Sequence, residues 1–205
     1  MLRRFLHGRQ RCKTYRNSCN WLFVGRTAIT LYEKSTAIMA RCAFYSFHFS
    51  VDSHRAAQVR NMGVIEGNPP ATDNDWQTIT RGGDAAIKKW IDGQLDGKSC
   101  SIVLIGASTA GRRWINYEIE QSWNNKKGVL GIYIHKLKDL NENQSVMGAN
   151  PFDGFTLCDG KRRLSSVVKT YNPPWSDSKA VYAYIKGNLV AWIDTAISTR
   201  ENFAC

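Results

Sequence analysis

From about Met39 onward the sequence predicts one soluble α/β domain, three layers deep, with a mostly parallel central sheet flanked by helices. Two observations carry that expectation. Ser101-Ile102-Val103-Leu104-Ile105 and Val129 to Ile134 are continuous apolar runs, the pattern of strands covered on both faces. Between and beyond them lie stretches with apolar residues at helical spacing. Strands alternating with helices imply right-handed crossovers and a parallel sheet.

Taken in order, residues 41–47 read as a buried strand, because Cys42-Ala43-Phe44-Tyr45-Ser46-Phe47 is compact and mostly apolar. Asp52 to Met62 reads as a helix, with Ala56, Val59 and Met62 on one side. Residues 63–81 read as a loop that can hold a short strand at Val64-Ile65. Asp84 to Leu95 is an amphipathic helix with Ile87, Trp90, Ile91 and Leu95 on its stripe, ended by Gly97. The strand at 101–105 follows. Ser108 is placed to cap a helix from Ala110 to Asn125. After the strand at 129–134, residues 136–163 form a long polar stretch, and loops of that length are usually functional or mobile. Leu164 to Tyr171 is expected to supply a last strand. Pro173-Pro174 breaks the chain. A final helix from Asp177 to Ser198 buries Val181, Ile185, Leu189, Trp192, Ile193 and Ala196.

The composition is that of an ordinary globular chain: 205 residues, 43% hydrophobic and 22% charged. No stretch approaches the ~20 apolar residues that span a bilayer, and no membrane partner is expected. The net charge of +11 is uneven. Residues 1–38 hold Arg3, Arg4, Arg9, Arg11, Lys13, Arg16, Arg26 and Lys34 against Glu33, which is +7 and leaves +4 for the rest. A nucleic-acid partner would lean on that tail, which has no recognisable binding motif, so none is expected. Three readings compete for 1–38: a transit-type peptide, a basic disordered tail, or residues upstream of a true start at Met39. The third is preferred, because the domain pattern begins almost at once after that methionine. The domain is therefore drawn as 39–205. The six cysteines form no CxxC, which removes zinc and redox motifs, and no metal ligand set is expected. Their scatter and the lack of a signal-peptide core favour a reducing cytoplasm.

The chemistry concentrates in Ser108-Thr109-Ala110-Gly111-Arg112-Arg113-Trp114-Ile115-Asn116-Tyr117-Glu118. A serine after a buried strand, then Trp-x-x-x-Glu on the next helix, resembles the central motif of TIR domains. Their usual Trp-Cys-x-x-Glu has Ile115 at the Cys position here. Phe44-Tyr45-Ser46-Phe47-His48 resembles the first TIR strand. Gly83-Asp84-Ala85-Ala86-Ile87-Lys88-Lys89-Trp90-Ile91-Asp92, Gly131-Ile132-Tyr133-Ile134-His135 and Asn150-Pro151-Phe152 are similar to the TIR-like proteins of Thoeris antiphage defence, the ThsB family. The resemblance covers residues 39 to about 200. It implies a flavodoxin-like/TIR-like fold and an enzyme that cleaves the nicotinamide–ribose bond of NAD+ to make a cyclic ADP-ribose-type signal. That diffusible signal would reach a separate effector protein. NAD+ is then the substrate, and no cofactor is expected. The homo-oligomers that complete the active site of many TIR enzymes are an open alternative here.

Glu118 is the expected catalytic residue. It lies four residues from Trp114, so the two share a helix face. A fixed carboxylate stabilises the oxocarbenium charge that develops as the bond to nicotinamide breaks. Nicotinamide leaves neutral, so no paired acid is needed. Spacing alone favours a solvated helical glutamate; the ordered motifs reverse that preference. Glu120 points elsewhere and is the internal control. Phe47, His48, Ser108 and Trp114 are candidates for the NAD+ pocket. The plainer alternatives are a surface histidine, a helix-capping serine and a packed tryptophan. Arg112 and Arg113 are candidate pyrophosphate partners or a solvated pair, and Asp84 is a first-turn acid. The rival class is a non-catalytic TIR adaptor acting through surface contacts, since fold alone does not fix function. A receiver domain is weaker still, because Ser46-Phe47-His48 gives no acidic phosphoacceptor pocket. With no GxGxxG or GxxxxGK[ST], dehydrogenase and P-loop readings fall away.

Overall fold

The computed structural model describes residues 42–63 and 79–205, within one compact unit, Arg41–Cys205. The expectations for 1–38, and the short strand at Val64-Ile65, lie outside the described residues. The sheet runs β1 (Ala43–Ser46), β2 (Cys100–Ile105), β3 (Gly128–Tyr133) and β6 (Thr170–Tyr171), in that spatial order and parallel at every step. A separate antiparallel pair, β4 (Thr156–Leu157) and β5 (Arg162–Arg163), sits in the long connection after β3. The helices are α1 (Phe49–Arg60), α2 (Gly83–Leu95), α3 (Arg113–Asn124) and α4 (Ser178–Glu201). This is the expected α/β class with a mostly parallel sheet.

Side chains alternate along a strand, and the alternation divides the core. Ala43, Ile102, Leu104, Leu130 and Ile132 face α1 and α4, meeting Ala56 and Val59 of α1, Met62 just beyond its end, and Val181, Ile185, Leu189 and Trp192 of α4. Val103, Ile105 and Val129 face Ile115, Ile119 and Trp123 of α3. Phe44 meets Ile87, Ile91 and Leu95 of α2. Every residue of β2 and β3 is buried, as the two-sided covering requires.

Several boundaries differ from the expected ones, each for a local reason. The first helix begins a turn early, at Phe49, because the chain turns into it directly from His48 at the end of β1. Ser108 does not cap the third helix. That helix starts at Arg113, with Arg112 at the cap position and no side-chain cap bond. Between them the chain makes a turn closed by Thr109, whose hydroxyl oxygen accepts from the Gly106 amide at 2.8 Å. Gly111 supplies a left-handed residue there, at φ +76°. The polar stretch 136–163 is built rather than loose: Asn150 caps a 3-10 turn, Pro151–Gly154, and Phe152 is fully buried. Only Thr170–Tyr171 of the expected last strand pairs with the sheet; Leu164–Ser166 is a 3-10 turn. The last helix agrees closely. Asp177 accepts from the Ala180 amide at 2.8 Å, and the six expected stripe residues are its buried ones.

Cys100 is a buried free thiol, pushed up to about 12 by burial. Cys158 and Cys205 are joined by a disulfide, whereas the scatter of the cysteines favoured a reducing compartment. Among the described residues no helix is long and apolar enough to cross a membrane.

Candidate active site

The carboxyl ends of β1 and β2 open onto a rim where ligands of such folds bind. Helix α3 brings Glu118 to it. The buried positions of α3 are Ile115, Glu118, Ile119, Ser122 and Trp123, the three-and-four spacing of a core-facing stripe. Glu118 therefore occupies a core position, 9% exposed. The Ser46 hydroxyl at the end of β1 donates to its Oε2 at 2.5 Å. One turn further along α3, the Ser122 hydroxyl donates to the Glu118 carbonyl at 2.6 Å. Ser122 is also within 2.7 Å of Ser101 Oγ on β2. These hydroxyls fix α3 against the sheet where apolar packing alone would let it slide.

Burial raises the Glu118 pKa from 4.5 to about 8, and the Ser46 bond opposes the rise. A carboxylate out of water is costly unless a partner compensates it. Among the described residues no cation sits on Glu118. Glu120 is exposed, as a residue two positions round the helix should be.

Of the expected pocket residues, His48 and Ser108 are together. His48 Nδ1 lies 3.0 Å from Ser108 Oγ, bridging the ends of β1 and β2, and its Nε2 lies 3.0 Å from Ser50 Oγ. Burial lowers the His48 pKa, the Arg112 guanidinium lowers it further, and Asp52 opposes both. The imidazole is thus held neutral near pH 7. Trp114 is half-buried beside the Phe44–α2 cluster, with Tyr117 edge-on and the Arg113 guanidinium 4.7 Å above its ring. Phe47 falls elsewhere: it packs with the core on the α1 and α4 side, under Arg60 at 5.7 Å. Arg113 pairs with Asp84, and Arg112 Nε donates to the Ser108 carbonyl at 3.2 Å.

Three residues at the rim were not foreseen. Ser46 was one; the signal available was a polar residue inside a buried apolar strand. Asp52 was another. It is fully buried on α1 and wedged against Gly106, where any Cβ would overlap its carboxylate. The third is Gly148, packed so closely on the Gly106 carbonyl that a side chain there would collide with backbone. The segment after β3 is thereby laid over the end of β2. Among the described residues no group of three or more His, Cys, Asp or Glu is placed to hold a metal ion.

Comparison with known proteins agrees with this layout. Residues 44–139, just under half the chain, match the family model described as "Thoeris protein ThsB, TIR-like domain". Over 120 residues the chain is 38% identical to a Bacillus cereus (strain MSX-D12) protein named "Putative cyclic ADP-D-ribose synthase ThsB1". That alignment covers 56% of this chain and 62% of the relative, so the chain spans under two thirds of the relative's length. The matched region runs from β1 through β3 to Asp139 and includes Ser46, His48, Ser108 and Glu118: residues 44–139 are similar to the TIR-like domain of the Thoeris protein ThsB.

Proposed function

We propose that this chain is a TIR-domain NAD+-processing enzyme of Thoeris-like antiviral defence. It cleaves the nicotinamide–ribose bond and forms a cyclic ADP-ribose-type product that signals to a partner effector. It acts in the cytoplasm, with NAD+ as substrate and without a further cofactor. The observation that carries this reading is Glu118, a buried carboxylate at the strand rim with a hydroxyl partner and, among the described residues, no cation. The relative's name supports the product class.

The electrostatics suit the chemistry. NAD+ brings a cationic nicotinamide ring, and bond breaking moves positive charge onto the ribose. Both charges favour the ionised carboxylate, so bound substrate draws the Glu118 pKa down from about 8. A carboxylate already dehydrated and fixed meets that charge without reorganising solvent. In the free enzyme the group must lose a proton first. We therefore expect kcat/KM to rise with pH up to about 8, and the limb in kcat to lie lower, since kcat reports the enzyme–substrate complex. His48 with Ser108 and Ser50 lies on the same rim, and a neutral imidazole there is able to accept a proton during product formation.

The test is to incubate the purified protein with NAD+ and separate the products by chromatography and mass. Release of nicotinamide with a cyclic product supports the proposal. No turnover from the concentrated, phage-triggered protein would leave the adaptor reading as the better one.

A further inference from the structure

We infer that Ser46 is a positioning residue for this reaction: its hydroxyl, donated to Glu118 Oε2, fixes the carboxylate at the rim and stabilises its charged form. The inference deepens the NAD+ reading and rests on it. Ser46 is 1% exposed, in a strand whose other residues are Ala43, Phe44 and Tyr45. Phe44 and Ser46 share a strand face, and that face packs against α2 and α3. An apolar residue would suit position 46 on packing grounds. A buried hydroxyl needs a partner to be tolerated there, and the partner 72 residues away is the catalytic candidate itself. The bond ties one carboxylate oxygen and leaves the other for the sugar. Without it, the three-bond glutamate side chain is free to turn.

The elements around this corner carry other ionisable groups: His48 after β1, Asp84 and Asp92 on α2, Arg113 and Tyr117 on α3. Each is engaged elsewhere. His48 meets Ser50 and Ser108, Asp84 pairs with Arg113, and the Tyr117 hydroxyl donates to Asp92. None of them figures among the causes that set Glu118; burial comes first and the Ser46 bond second. Ser46 is thus the described group that favours the anion.

Three substitutions test this. Ser46→Ala removes the hydroxyl, Ser46→Cys keeps nearly its volume with a weak donor, and Ser46→Thr restores the hydroxyl. Two readouts are needed. The first is kcat and KM against pH. The second is the titration of Glu118 in protein carrying carboxyl-13C glutamate, with its signal assigned by its loss in Glu118→Gln. For Ala and Cys we expect Glu118 to titrate about one unit higher, and kcat at pH 7 to fall about tenfold, the size of a hydrogen bond to a charged group. KM should change little, kcat should recover at high pH, and Thr should return both readouts toward wild type. An unchanged Glu118 titration in folded Ala and Cys variants overturns the inference, and so does a kcat loss that high pH does not restore. If the wild-type protein turns over no NAD+, the functional proposal falls. The titration is then still decisive for the coupling: an upward shift supports it and no shift overturns it.

Discussion

Two buried carboxylates flank the same rim and are treated in opposite ways. Asp52, on α1, has the Arg55 guanidinium 3.4 Å from its Oδ1. Arg55 in turn donates to the Leu137 carbonyl at 2.9 Å, to Asp139 at 3.1 Å and to the Asn143 carbonyl at 2.8 Å. That network fastens the segment after β3 to α1. Asp52 still has its pKa raised by burial, which outweighs Arg55, and its Oδ2 is an unpartnered buried atom against Gly106. Glu118, on the other side, has a hydroxyl and no described cation. The first acid has a built-in counter-charge and serves the architecture. The second has the place of its counter-charge open, as the role proposed for it toward a cationic transition state requires.

Removing the counter-charge from the first acid should have the largest effect on stability. Arg55→Met leaves Asp52 buried and alone, and breaking a buried pair in this way costs ~3–5 kcal/mol. Urea or thermal unfolding would measure it, with earlier proteolysis in 137–143 as the local sign. A loss below ~1 kcal/mol, the value of a surface pair, would mean that the network is not structural.

The second acid should behave in the reverse way. Its folded-state pKa of about 8 lies above the ordinary glutamate value of 4.5, so the folded protein binds the proton more tightly than the unfolded chain. Stability contributed by the protonated group is full below the lower value and is lost as pH rises to the upper one, about 1.4 kcal/mol per unit of difference. Glu118→Gln carries no such charge. Relative to wild type it should gain stability as pH rises from 4.5 to 8. A constant gap across that range would show that Glu118 ionises freely in the fold.

Trp114→Ala should be milder. The ring is half-buried beneath Arg113 rather than enclosed, so its loss should fall below the ~3–5 kcal/mol of a fully buried aromatic. A melting temperature equal to wild type would detach Trp114 from the packing of α3.

How much of this was legible depended on whether the signal was local. The last helix was readable to its cap, because Asp177 and a six-residue stripe need no distant partner to declare themselves. β2 and β3 were readable as unbroken apolar runs. The start of α3 was not, since Ser108 has the chemistry of a cap while Gly111 postpones the helix by a left-handed turn. The fold of 144–154 also depended on tertiary contact: Gly148 against Gly106 and Phe152 in the core. At the site, Glu118 was named through Trp-x-x-x-Glu. Its burial was written in the spacing of Ile115, Glu118, Ile119 and Ser122. Ser46 gave only a polar letter in an apolar strand, with nothing local to say that α3 would meet it. Phe47 sat next to Ser46 in sequence, but strand alternation sent it to the opposite face.

The central claim is that the carboxylate without a counter-charge does the chemistry, and the direct measurement is NAD+ loss over time for wild type, Glu118→Gln and Glu120→Gln, with melting curves as the folding check. Gln keeps the size and hydrogen-bonding reach of Glu and removes only the charge. Turnover should be abolished in Glu118→Gln with the fold intact. Glu120→Gln should be indistinguishable from wild type, because its side chain is exposed and about 200° round the helix from position 118. Wild-type turnover by Glu118→Gln would contradict the account.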